Sequence, residues 1–127
     1  MRVITGTALL FMAAAVVVTG CTGGQYKRPY QLGVNGDPHA GKVLIENYGC
    51  GSCHTIPGIY TARGVVGPPL YFFGRRTMVA GELPNTPENL VRWLRNPPGV
   101  EPGTAMPNLG LSDQQAQDIA AYLYTLQ

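Results

Sequence analysis

The chain carries little charge. Only 13% of its 127 residues are Asp, Glu, Lys or Arg, with nine basic residues against seven acidic. A formal net charge of +2 is far from the clustered positive surface that nucleic acid requires, so no nucleic-acid partner is expected. Cysteine is scarce. Cys21, Cys50 and Cys53 make an odd count of three, which no complete disulfide scheme accommodates. Long apolar runs are also missing. The longest, Ile4 to Val18, falls short of the roughly 20 residues a membrane-spanning helix needs. No segment alternates apolar and polar residues convincingly enough to read as a strand. These absences leave a helical, near-neutral chain with few chemistry-bearing side chains.

The apolar run itself has a use. It stands behind Arg2 and ends in Val18-Thr19-Gly20-Cys21. That order, basic then apolar then small residues, is a secretory signal. The small residue before Cys21 resembles a bacterial lipobox, which implies cleavage after residue 20 and a lipid on Cys21. The competing reading is an uncleaved anchor helix with an incidental cysteine. Either one places the rest of the protein on the outer side of a bacterial cell membrane, facing the periplasm or the exterior. Lipidation also accounts for the odd cysteine. Loss of Arg2 with the signal leaves eight basic and seven acidic residues, a net +1.

Residues 22–37 contain Gly23, Gly24, Lys27, Arg28, Pro29, Gly33, Asn35 and Gly36 and read as a tether. The globular part is then 38–127. Three helices are predicted in it. The first begins at Asp37-Pro38, an N-cap followed by proline at the first helical position. It places Ala40, Val43, Leu44 and Tyr48 near one face and stops at Gly49. The second begins at Thr86-Pro87, carries Leu90, Trp93 and Leu94, and is halted by Asn96-Pro97-Pro98. The third opens with Ser112 and Gln115, a capping-box spacing, and repeats Ala116, Ile119, Ala120, Leu123 and Leu126 at helical intervals. Segments 55–85 and 97–111 are rich in Gly and Pro and read as loops. Three short helices and long loops make a small core, so the chain needs a central object to wrap.

Cys50-Gly51-Ser52-Cys53-His54 supplies the reason for one. It is a complete C-x-x-C-H, the c-type haem attachment spacing. Two thiols three positions apart reach two porphyrin substituents, and the next residue brings an imidazole to the iron from the same side. A thioredoxin-like site would need a βαβ pattern, which is absent. A zinc site would need a second ligand pair that His39 alone cannot supply. A plain disulfide is the remaining alternative. The second axial ligand has four candidates: Met78, Met106, His39 and Lys42. Met106 is favoured, because Pro107 pushes it toward an extended conformation and Pro102 stiffens the approach. Met78 is better read as core filler, and His39 as a solvated residue in the first helical turn.

With these residues in view, the chain resembles a class I (mitochondrial-type) monohaem cytochrome c. It is especially similar to the small cytochrome c domains attached to bacterial respiratory complexes. Gly67-Pro68-Pro69-Leu70, Asn89-Leu90-Val91-Arg92-Trp93 and Pro102-Gly103-Thr104-Ala105-Met106-Pro107 carry the likeness across 38–127. The resemblance implies an all-α fold, three to five short helices with Gly/Pro-rich loops around one covalent haem c. It makes His54 the proximal ligand and Met106 the distal one. It makes the Pro68 carbonyl the acceptor for the other nitrogen of His54. It also puts Arg75 and Trp93 where the family contacts a haem propionate, their alternatives being a surface arginine and a packed tryptophan. Tyr122 and Leu123 fall where the last helix packs on the first.

Two features depart from that pattern. The family's ring of lysines is reduced to Lys42, with arginines at 63, 75, 76, 92 and 95. An extra residue between Gly41 and Cys50 leaves open whether Ala40 or Gly41 makes the close helix contact. The implied function is single-electron transfer, with the haem iron filled on both sides and no place for substrate. The expected role is a membrane-tethered carrier with redox protein partners, between a quinol-oxidising complex and a terminal oxidase. A haem subunit fixed in a larger complex, or a haem enzyme or gas sensor with an open iron, are the competing roles.

Overall fold

A computed structural model of the protein describes residues 34–127. The signal segment, Cys21 and most of the tether lie outside the described residues. Four helices appear among these: α1 (Pro38–Asn47), α2 (Pro87–Arg95), α3 (Pro97–Val100) and α4 (Asp113–Thr125). Two 3-10 turns, Cys50–Ser52 and Phe73–Arg75, and a two-stranded antiparallel ladder, β1 (Met78–Val79) with β2 (Leu83–Pro84), complete the order.

The helix ends are where local chemistry puts them. The Asp37 side chain accepts from the His39 N–H, and Gly49, at φ 67°, turns the chain out of α1. Thr86 caps α2 and Ser112 caps α4, where the reciprocal bond from Gln115 completes the capping box. Each cap satisfies N–H groups that have no partner inside the helix.

α4 is the centre of the packing. Ala116, Ile119, Ala120, Tyr122, Leu123 and Tyr124 along it are all buried. Burying a large apolar side chain fully contributes about 1.5–3 kcal/mol, so this one helix holds much of the available stabilisation. α1 crosses it at Gly41, where a Cβ would run into the Asp118 carbonyl. That settles the close contact on Gly41, not Ala40. It also rotates the buried face of α1: Gly41 and Ile45 point inward, and Val43, expected inside, is 54% exposed.

Three further differences from the sequence reading follow from long-range contacts. Residues 34–37, assigned to the tether, are held on α4. The Asp37 N–H donates to Asp118 Oδ1 at 2.8 Å, and Gly36 lies against the Gln117 backbone. The 97–111 loop contains α3, because Asn96, whose backbone N–H closes α2 on the Arg92 carbonyl, also caps the next turn with its side chain, which accepts from the Gly99 N–H. The 55–85 loop contains the β1–β2 hairpin, turned by Ala80 and Gly81 at φ 54° and 82°. Two-residue strands are too short to show alternation.

Candidate haem site

Beyond Gly49 the 3-10 turn at Cys50–Ser52 coils the chain so that the Cys53 and His54 N–H groups both donate to the Cys50 carbonyl, at 3.3 and 3.0 Å. Cys50 and Cys53 are not joined to each other. Burial pushes the Cys50 thiol pKa up; a backbone hydrogen bond opposes the shift and the neighbouring Cys53 adds to it. Among the described residues no cluster of three His, Cys, Asp or Glu side chains could hold a metal by itself.

The following loop is zipped onto this turn. Gly64 N–H donates to the Gly51 carbonyl, Gly67 N–H to Cys53 and Leu70 N–H to Thr55, all at 2.8–2.9 Å. The outcome is a fixed imidazole. His54 Nδ1 lies 2.7 Å from the Pro68 carbonyl oxygen, and Gly67 lies so close to the ring that a Cβ there would meet Nδ1 at 2.7 Å and Nε2 at 2.9 Å. With Nδ1 committed as donor to Pro68, Nε2 is the nitrogen available to a metal.

His54, Cys50 and Cys53 line a cavity of about 430 Å³. Its apolar wall includes Ile45, Phe73, Leu90, Leu94, Ile119 and Leu123, which are also core residues. The core of the domain is therefore built around the cavity. Of the four candidate second ligands, Met106 alone lines it. Met106 is half-buried in a loop pinned by its own N–H to Thr104 Oγ1 at 3.2 Å and by Gly103 N–H to the Glu101 carboxylate at 3.1 Å. Met78 is 41% exposed and His39 is exposed.

Trp93 lines the cavity. Arg75 does not. Its exposed guanidinium sits 6.0 Å from the Phe72 ring, and the next residue, Arg76, lines the wall instead. Arg76 donates to the Pro69 and Tyr71 carbonyls. Asn85 holds the turn that aims it: its Nδ2 donates to the Phe73 and Arg76 carbonyls, and its Oδ1 accepts from Tyr124 at 2.9 Å. Nothing in a run of two arginines distinguishes them in sequence; the fold brings Arg76 to the cavity wall. A larger, more open groove of about 750 Å³ lies against α2 and α4. It is spanned by the exposed Arg95–Asp113 pair and carries neither thiol nor imidazole.

The residues of the smaller cavity suit a haem. Two thiols and an imidazole stand on one wall segment, a thioether lines the same space, and most of the rest is apolar, with Arg76, Glu101, Ser52, Thr104 and Tyr48 as the polar members. The close Gly67–His54 approach holds the ring where a metal would need it.

Comparison with known proteins agrees. The cytochrome c family model matches residues 38–127. The chain is 35% identical over 88 residues to cytochrome c oxidase subunit 2 of Alkalihalophilus pseudofirmus, covering 68% of this chain and 25% of that protein. It is 35% identical over 106 residues to cytochrome c2 of Rhodopila globiformis, covering 72% of this chain and 95% of that one. It is 30% identical over 105 residues to cytochrome c of Tetrahymena pyriformis, covering 76% and 95%. The chain thus spans about a quarter of the oxidase subunits it matches but nearly the whole of the free-standing cytochromes. By the family match over its globular part and by the thiols, imidazole and apolar cavity gathered there, the chain belongs to the cytochrome c family, whose cofactor is a covalently bound haem c.

Proposed function

We propose that this protein carries single electrons in a bacterial respiratory chain, tethered to the outer side of the membrane by a lipid on Cys21. Donor and acceptor are redox proteins, a quinol-oxidising complex and a terminal oxidase. Cys50 and Cys53 would hold the haem through thioethers, His54 and Met106 would ligate its iron, and Arg76 and Trp93 would lie toward a propionate. The haem supplies a one-electron couple.

The chain's residues make that couple usable. The Pro68 carbonyl keeps His54 in one orientation and one tautomer. A histidine–methionine ligand set raises the reduction potential. The apolar wall keeps water from the metal, and the arginine offsets the buried anionic charge of a propionate. The observation that carries the reading is that an imidazole and a thioether line one cavity. An iron held by both side chains would have no place for substrate. A loop pinned at Thr104 and Glu101 argues against the open iron of a haem enzyme or gas sensor. Likeness to an oxidase subunit supports a respiratory setting, and the Val18-to-Cys21 lipobox likeness supports the tether.

Carbon monoxide tests the filled-iron reading. The reduced, haem-loaded protein should keep its spectrum unchanged under the gas. A rapidly formed adduct would move the protein to the open-iron class.

A further inference from the structure

The large apolar residues left on the described surface are not spread evenly. Seven are exposed among the described residues, and all but Val43 lie between residues 60 and 78. Tyr60, Val65 and Val66 are 84%, 88% and 76% exposed, and Tyr71, Phe72 and Met78 are 48%, 58% and 41%. The same segment supplies Val66, Leu70, Phe73 and Arg76 to the wall of the haem cavity. Its charge is one-sided: from Asn47 to Gly81 the chain holds Arg63, Arg75 and Arg76 and no carboxylate.

Phe72 adds an independent observation. Its φ is 54°, a left-handed conformation that glycine takes freely and a side chain takes at a cost. The side chain does not recover that cost in the core. Its neighbour Phe73 is buried and packs on Tyr124 with ring centroids 6.1 Å apart, whereas Phe72 projects beside the exposed Arg75 guanidinium. A strained backbone position that displays an aromatic to solvent points to a use outside the fold.

We propose that residues 60–78 form the docking surface for a redox protein that presents an apolar pocket rimmed by carboxylates, with Phe72 as the anchor. Rigid aromatics flanked by arginine are the side chains that dominate interface energetics. Charge chooses the partner: three arginines without a carboxylate call for an acidic rim. A symmetric dimer through this face would set the arginines of one copy against those of the other. The inference rests on the electron-carrier reading for the kind of partner, not for the location of the surface.

Two measurements on the haem-loaded protein test it. In the first, a photoreactive benzophenone amino acid replaces Phe72, with Val43 on α1 as the control position. Each protein is irradiated on membranes of the cells that make it, and the haem-stained adducts are identified by peptide mass. A protein adduct from position 72 alone, on a subunit of a redox complex and next to Asp or Glu, is expected. An adduct to lipid, an adduct to a second copy, or no adduct beyond that from position 43 overturns the proposal. In the second, Phe72→Gly should leave the melting temperature no lower. It should slow re-oxidation of the reduced protein by those membranes at least about tenfold, or 1.4 kcal/mol. An unchanged rate, or a lower melting temperature, overturns the docking role and leaves the electron-carrier reading standing. Cross-linking from the benzophenone at position 72, with wild-type protein that those membranes never re-oxidise, does the reverse.

Discussion

The His54 ring and the Pro68 carbonyl are joined by a 2.7 Å hydrogen bond across 14 residues. Gly67, between them in the chain, lies close against the same ring, where a Cβ would come within 2.9 Å of Cε1, Nδ1 and Nε2. The imidazole is thus held by a hydrogen bond on one nitrogen and by backbone packed beside it.

That grip predicts the effect of Gly67→Ala. The added methyl would fall within van der Waals contact distance of three ring atoms, and the ring is not free to swing away. Overpacking of this kind costs about 1–3 kcal/mol, and here it also displaces the ligand. A lower melting temperature and a lower yield of haem-loaded protein are expected. Gly81→Ala meets nothing within 4 Å and should leave haem loading intact. Equal loading in all three proteins would show that the Gly67–His54 approach is unimportant.

Met106 and Met78 separate cleanly by position, one on the cavity wall and the other 41% exposed. The oxidised protein should show a weak methionine–iron band at the red edge of its spectrum. Met106→Ala should abolish it and lower the reduction potential, and Met78→Ala should preserve both. The opposite pattern would transfer the ligand role to Met78.

Tyr122 ties α4 to the loop after the haem motif: its hydroxyl donates to the Pro57 carbonyl at 2.7 Å. Burial, and then the Glu46 carboxylate, push its pKa above the ordinary tyrosine value. A group raised in the folded state contributes stability that is complete below the unfolded pKa, about 10, and is lost as pH rises through the folded value. Melting temperature should therefore decline at alkaline pH. Tyr122→Phe should cost about 1 kcal/mol near neutrality and decline less steeply. Parallel declines for the two proteins would remove Tyr122 from the account.

The lipid anchor is tested at Cys21. Mass spectrometry of the N-terminal peptide should find a lipidated cysteine, and Cys21→Ser should accumulate the unprocessed chain. An unmodified Cys21 in membrane-extracted wild-type protein would leave an uncleaved anchor helix as the tether.

What the sequence determined by itself was local in origin. Asp37, Thr86 and Ser112 start helices because a side-chain oxygen meets an N–H two or three residues on. Pro97 and Gly49 end them for reasons internal to the backbone. The C-x-x-C-H spacing and the proline beside Met106 likewise act over a few residues, so the cofactor was legible without a fold and Met106 stood out as the candidate second ligand. The tertiary structure decided whatever depends on which surface meets which. Gly41 faces α4 and turns Val43 outward, since only one of two adjacent small residues fits against the Asp118 carbonyl. Arg76 reaches the cavity and Arg75 does not, because Asn85 and Tyr124, from the hairpin and from α4, hold the turn between them. Periodicity assigns faces along one helix or strand; in an irregular turn, partners distant in sequence assign them.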